Sequence, residues 1–288
     1  MSEHEIQESR AAIAFIGAGN MASSIIGGLI ANGFAPSNII ASDPHAESLQ
    51  ALATKSGIIA ASDNNEAVEN AEVVILAVKP QVMGAVCEAL ADAIPASALI
   101  ISIAAGITCG SLDQWLRGSR PDRSARPLVR CMPNTPALVL AGASALYATA
   151  EVDVEQRAKA QAILAAVGTV DWVDSEADID AVTAVSGSGP AYFFLLMEAM
   201  IDSGVAQGLT RDTATTLAFQ TAYGAAKLAK NSDVDVAELR RRVTSPNGTT
   251  HEAITSFEKN GFRAIVDEAM VACADRSRSL ARELGGPS

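Results

Sequence analysis

The chain has 288 residues, which at roughly 100–200 residues per domain favours two domains. Its 33 acidic residues against 21 basic ones leave a net charge of −12, and this argues against nucleic-acid binding, which needs clustered Lys and Arg. With 49% hydrophobic and 19% charged residues a disordered chain is excluded, and with aromatics at 4% the core must be filled by Ala, Val, Ile and Leu.

The four cysteines, Cys87, Cys109, Cys131 and Cys273, are widely spaced and form no C-x-x-C pair. Reduced, buried thiols are therefore expected, with no zinc site, no disulfide framework and no metal. The start, Met1-Ser2-Glu3-His4-Glu5-Ile6-Gln7-Glu8, is polar and acidic and lacks a basic region leading into an apolar stretch. With no window of 18 apolar residues read in the sequence, the expectation is a cytoplasmic protein with no membrane span.

In chain order, brief apolar runs alternate with helical patterns, as in a parallel sheet flanked by helices. Ile13 to Ile16 is the first strand, and it runs into Gly17-Ala18-Gly19-Asn20-Met21-Ala22, a G-x-G-x-x-A turn that opens a helix from Met21 to Asn32, closed by Gly33. In such a turn Gly17 permits the tight bend, and Gly19 has no side chain to hold a pyrophosphate off the backbone. Ala22 lets the helix sit close to the strand, and the anion meets unpaired amides at the positive helix end. A second strand, Ile39 to Ser42, ends at Asp43, 24 residues after Gly19. An acid there can accept hydrogen bonds from the adenosine ribose and repels a 2′-phosphate, which tilts the cofactor toward NADH. Asp43 can also serve simply to start the helix Ala46 to Ser56, which Gly57 closes.

Val73 to Val78 is a buried strand stopped by Lys79-Pro80. Ligands of open parallel sheets lie beyond the carboxyl ends of the strands, so Val78 and Lys79 should border the nicotinamide half of a site. Lys79 is open to two readings, a contact to phosphate or substrate carboxylate and a solvated loop lysine. Leu99 to Ile103 and Leu128 to Met132 are further strands. They bring Ala104-Ala105-Gly106 and Met132-Pro133-Asn134-Thr135-Pro136 to the same rim, where the two prolines stiffen a loop suited to presenting a group to a ligand. Ser144 to Ala148, a helix from Glu155 to Val167, and Thr169 to Val173 complete this half before the acidic stretch Asp174-Ser175-Glu176-Ala177-Asp178. The domain boundary is placed there, with residues 1–174 binding dinucleotide and 175–288 forming a second, helical domain. The fold class is α/β, a Rossmann-type, doubly wound, mostly parallel sheet followed by an all-helical C-terminal domain.

Pro190 to Val205 is apolar nearly all round, so it should be buried on every side, partly in a subunit interface. Near the end, Ser245-Pro246-Asn247-Gly248-Thr249-Thr250-His251-Glu252 combines a turn with a capping box, Thr249 as the cap and Glu252 reaching back. First-turn amides left unpaired would form a pocket for a small anion such as a carboxylate, with the Thr250 hydroxyl beside it. His45 at a helix start and His251 in this turn suit surface roles better than a proton relay, and His4 lies in the tail.

These motifs together resemble the pyrroline-5-carboxylate reductases. The resemblance runs from about Ile13 to Ala281 and rests on Phe15-Ile16-Gly17-Ala18-Gly19-Asn20-Met21, Ala77-Val78-Lys79-Pro80-Gln81, Met132-Pro133-Asn134-Thr135-Pro136, Ser186-Gly187-Ser188-Gly189-Pro190-Ala191-Tyr192 and Thr244-Ser245-Pro246-Asn247-Gly248-Thr249-Thr250. It implies reduction of the cyclic imine 1-pyrroline-5-carboxylate to L-proline by NADPH or NADH. It carries dinucleotide contacts onto Gly19, Asn20, Met21, Ser42, Asn64, Val78, Lys79 and Ala105. The substrate carboxylate falls to Ser245, Gly248, Thr249 and Thr250, and the ring nitrogen to Thr250. It further implies dimers through the helical domain, commonly assembled into decamers. Two departures stand out: Asn247, where the family usually has glycine, and Asp43, where many members carry an uncharged or basic residue suited to NADPH. Asn tolerates left-handed backbone angles, so the turn should survive.

Two other readings compete. A β-hydroxyacid dehydrogenase would place a catalytic lysine early in the helical domain, and here none occurs before Lys227. A non-catalytic, dinucleotide-binding redox sensor would need the glycine turn and not the Thr244 to Thr250 turn.

Overall fold

A computed structural model describes residues 13–118, 120 and 122–285 of the chain; the acidic start and His4 lie outside the described residues. Its first elements follow the apolar runs: β1 (Ile13–Ile16), α1 (Asn20–Ala31), β2 (Ile39–Ser42), α2 (Ala46–Ser56), β3 (Ile59–Ala60), α3 (Asn64–Val68), β4 (Val73–Leu76), α4 (Pro80–Leu90), β5 (Leu99–Ser102), α5 (Cys109–Arg117), β6 (Leu128–Met132), β7 (Gly142–Ala148), α6 (Val154–Ala165) and β8 (Gly168–Trp172). The remainder is helical: α7 (Asp178–Val182), a π turn at Thr183–Gly187, α8 (Gly189–Ala206), α9 (Arg211–Lys230), α10 (Val236–Arg242), α11 (Thr249–Lys259) and α12 (Phe262–Leu284). Among the described residues the strands form one sheet in the order β3-β2-β1-β4-β5-β6-β7-β8. Every pairing is parallel except β6 with β7, where Cys131 opposes Leu146.

Alternation along the central strands β1 and β4 explains why these two are apolar throughout. Ile13 and Phe15 point into one core with Ile25, Ile26 and Leu164, while Ala14 and Ile16 point into a second core with Met83, Cys87 and Leu112. Both faces are covered at the centre of the sheet, so neither face of β1 or β4 carries a polar side chain. β1 lies between β2 and β4, with Ile13 beside both Ile39 and Val73. The chain therefore builds outward from β1 in both directions, and the crevice beyond the carboxyl ends of β1 and β4 is the ligand position of such sheets.

The described residues pack as two compact units, one running up to residue 188 and taking in those from 273 onward, the other residues 189–272. The boundary drawn after Asp174 follows composition; packing keeps α7 and the π turn with the sheet, since Ile179 and Ala184 are buried and Asn134 Nδ2 donates to Ser186 O at 3.0 Å. The last turns of α12 also belong to the sheet unit, where Ser277 Oγ donates to Asp180 Oδ1 at 2.6 Å.

One expectation needs correction. Pro190 to Val205 is not buried on every side in the single chain: Phe193, Phe194 and Leu195 are 61%, 63% and 67% exposed. The helical unit is too thin to cover an all-round apolar helix, and its buried core consists of Ile201, Ala214 and Ala218 with Val205 against them. The π turn joins α7 to α8, and the continuous helix 178–206 contains an 18-residue window of mean hydropathy 1.2, long and apolar enough to cross a membrane by length and composition alone, a test that the core helix of a soluble protein also passes.

Candidate active site

The phosphate-binding turn is shaped by two close approaches. Gly17 adopts φ +100, and a Cβ on it would stand 2.7 Å from Ala77 O, so no other residue passes here without moving the exit of β4. Its N–H donates to Ser42 O at 2.8 Å, tying the turn to the end of β2. Gly19 is the opposite case, with nothing within 4 Å of the position of a Cβ. It is the N-cap of α1, exposed, and no side chain caps the helix and no acid stands in its first turn. The amides of Asn20 and Met21 thus face an open approach at the positive end of a 12-residue helix, which fits a pyrophosphate. Ala22, 1% exposed, takes the close-packing position expected of it.

Beside the turn, Ser42 is buried and its hydroxyl donates to Asn64 Oδ1 at 2.6 Å, which fixes Asn64 at the first position of α3. Asp43 does not cap α2 with its own position; His45 is the N-cap residue there. Its carboxylate instead accepts from Ala18 N at 2.8 Å through Oδ2 and from His45 N at 2.8 Å through Oδ1, with His45 Nδ1 3.1 Å from Oδ1. Burial pushes the Asp43 carboxyl up, and the hydrogen bonds from Ala18 and His45 together outweigh it and hold it below its ordinary value.

Along the rim, Val78 is half-buried, Lys79 is exposed as the N-cap of α4 with Pro80 following, and Ala105 is exposed after β5. Asn134 does not present its side chain to a ligand. It is 8% exposed, and besides its bond to Ser186 its Oδ1 accepts from Ala143 N at 2.9 Å, so the two prolines hold an internal tie. Glu176, read in the sequence as part of a boundary stretch, has a specific place: Oε1 pairs with the buried Arg130 at 3.1 Å and accepts from Cys109 N at 2.7 Å at the start of α5. An arginine inside an otherwise apolar strand was the signal for such a partner. Cys87, Cys109 and Cys131 are buried and Cys273 is half-buried, all free, and burial pushes the Cys87 thiol up to about 12.

In the helical unit, Ser245 to Gly248 forms a tight turn closed by Gly248 N donating to Ser245 O at 3.0 Å. Pro246 stands second and Asn247 third at φ +58, the left-handed position that glycine or asparagine fills in this kind of turn. The N-cap is displaced by one residue and no capping box forms. Gly248, extended at φ −87 and ψ 172, is the N-cap, and Thr249 is the first helical residue, so Thr249 and Glu252 do not cap each other. The turn itself causes this, because it closes at Gly248 and leaves that residue extended. A Cβ on Gly248 would stand 3.1 Å from Ser245 O. With no side-chain cap, the first-turn amides are left for an incoming acceptor, and Thr249 and Thr250 are exposed beside them.

Residues 176–280 match the family model for pyrroline-5-carboxylate reductase dimerisation, and residues 12–106 match that for NADP oxidoreductases, coenzyme F420-dependent. The chain is 58% identical over 273 residues to the pyrroline-5-carboxylate reductase of Pseudomonas aeruginosa, which covers 95% of this chain and 98% of that protein. It superposes on the solved pyrroline-5-carboxylate reductase from Coxiella burnetii with a TM-score of 0.89 at 41% identity, covering 95% of this chain and all (100%) of that one. A pyrroline carboxylate reductase of Plasmodium falciparum, solved with NADP bound, superposes with a TM-score of 0.82 at 30% identity over 95% and 99% of the two chains. Similarity of this degree along nearly the whole chain places it in the pyrroline-5-carboxylate reductase family.

Proposed function

We propose that the protein reduces 1-pyrroline-5-carboxylate to L-proline, the last step of proline biosynthesis, with NADPH or NADH as reductant. The observation that carries this reading is the uncapped start of α11 directly after the Ser245–Gly248 turn. That is a place for a small carboxylate with a threonine hydroxyl beside it, in a chain whose other unit offers an open glycine turn to a dinucleotide.

A bound reduced dinucleotide would supply the hydride for the imine carbon. Gly17 and Gly19 keep the phosphate turn open, and the amides of Asn20 and Met21 take the pyrophosphate. Ser42, Asp43 and Asn64 lie toward the adenosine, and Val78, Lys79 and Ala105 toward the nicotinamide. The amides of the Ser245, Gly248, Thr249 and Thr250 turn hold the substrate carboxylate. The Thr250 hydroxyl orients the ring nitrogen, which arrives protonated or takes one proton from water through that hydroxyl; hydride addition to the adjacent carbon then turns the iminium into the neutral secondary amine. Residues 1–174 thus serve dinucleotide binding and residues 175–288 substrate binding and dimerisation. The protein's task is chiefly orientation, which in model reactions contributes up to about 7–11 kcal/mol. Dimers formed through the helical unit and assembled into decamers, in the cytoplasm, complete the reading.

The experiment is the initial rate with 1-pyrroline-5-carboxylate, followed by nicotinamide oxidation with each dinucleotide separately. Robust turnover supports the reductase. Tight dinucleotide binding without turnover overturns it in favour of a binding protein.

A further inference from the structure

Asp43 does not hang free at the end of β2. It is bonded through Oδ2 to the amide of Ala18, the residue between the two glycines of the phosphate turn, and through Oδ1 to His45. Its side chain is only 15% exposed, against 81% for His45. The carboxylate therefore has a defined position beside the turn and keeps lone pairs to spare, since a carboxylate offers about four acceptor sites. Among the described residues its ion-pair partner is the exposed His45, charged only when protonated, with Nδ1 3.1 Å from Oδ1. The segments that leave β2 and β3 side by side, residues 42–45 and 61–66, contain no Lys or Arg and contribute Asp43, Asp63 and Glu66. Asp63 is committed to capping α3 through Asn65 N and Glu66 N, and Glu66 accepts from Ser62. His45 has its N–H and its Nδ1 turned to Asp43.

A ribose diol brings two donors to such a corner. A 2′-phosphate brings about −1.5 to −2 charges and acceptors alone. We propose that Asp43, fixed by the Ala18 amide, is the residue that sets dinucleotide choice in this chain, so that NADH is taken in preference to NADPH. The inference rests on the dinucleotide reading of the glycine turn and adds to it the identity of the preferred reductant. It also gives one carboxylate two tasks, holding the phosphate turn and excluding the phosphorylated ribose.

The test is a fluorescence titration of the full-length protein with NADH and with NADPH, without imine, at low and high salt, on the wild type and on Asp43→Asn and Asp43→Ser. The expected result is a Kd for NADH at least tenfold below that for NADPH in the wild type at low salt. Salt should narrow the ratio, because screening weakens like-charge repulsion. Both variants should narrow it by about tenfold, chiefly through tighter NADPH binding. Asp43→Asn keeps an acceptor for the Ala18 amide, and the salt series on the wild type stands if neither variant folds. Wild type that binds NADPH as well as NADH overturns the inference and leaves the dinucleotide site in place. A preference for NADH that neither salt nor a folded variant moves overturns the role of Asp43. Binding of neither dinucleotide overturns the reading of the glycine turn itself.

Discussion

The sheet unit and the helical unit differ in where their apolar residues find cover. Around the sheet, two buried clusters fill both faces, and Ile75, Leu76, Met83 and Leu90 are completely enclosed within one chain. In residues 189–272 the buried core is Ile201, Ala214 and Ala218, while Phe193, Phe194 and Leu195 on α8 and Ile265 on α12 stand open. The first unit has a core of its own. The second has the composition of a core and half of its packing, which is the character of an obligate interface, a core cut in two. That the matched family model is one for dimerisation and covers residues 176–280 fits this division of labour.

The largest expected effect comes from breaking the second half. Leu195→Glu puts an unpaired carboxylate on the open face of α8, where a partner would have to bury it at a cost of several kcal/mol. Sedimentation should show monomers, and activity should fall at least a hundredfold. A dimer with ordinary activity would show that α8 does not form the interface. Ile75→Ala probes the other unit. It should lower stability by about 2–5 kcal/mol in urea melts, and the loss should not depend on protein concentration. A concentration-dependent loss would show that the sheet unit also leans on a partner.

The same contrast governs what could be read from the sequence. In the sheet unit local rules suffice: β1, β2, β6 and α2 run between the residues expected from their apolar runs, and Gly57 closes α2 at φ +75. What escaped there was short or long-range. β3 has two residues, and Glu176 finds Arg130 across 46 positions. Asn134 turned inward because a buried loop needs its polar groups bonded, here to Ser186 and Ala143. In the helical unit the apolar pattern of α8 was plain, but a pattern states that a residue is covered and not by which chain. The site followed this division too. The glycine turn and the Thr249-Thr250 turn were legible because helix starts obey local chemistry, although the cap fell on Gly248 and not Thr249. The bond from Ala18 to Asp43 joins two strand ends and has no local signature.

A smaller effect separates chemistry from packing within the helical unit. Thr250 is exposed in the first turn of α11, with no core contact to lose. Thr250→Ala should therefore lower kcat by about a hundredfold, the lower end of what a positioned proton donor contributes, and leave the melting temperature within about a degree or two. Thr250→Ser, which keeps the hydroxyl, should recover most of the rate. Unchanged kinetics in Thr250→Ala would remove the residue from the mechanism.

The smallest effect concerns the sheet unit at low pH. The hydrogen bonds from Ala18 and His45 hold the Asp43 carboxyl below its ordinary value of 3.8 in the folded chain. A carboxyl depressed on folding contributes stability that is fully present above its unfolded pKa and is lost as pH falls through the folded one. The difference in urea midpoint between wild type and Asp43→Asn should thus be constant from neutral pH down to about 4.5, then shrink below about 4 as the unfolded and then the folded carboxyl take up protons. The effect is modest, because the group is close to the surface and one of its partners, His45, is exposed. A difference that grows on acidification would mean that burial outweighs the Ala18 and His45 bonds. The carboxylate beside the phosphate turn would then be a strained group and not a clamp.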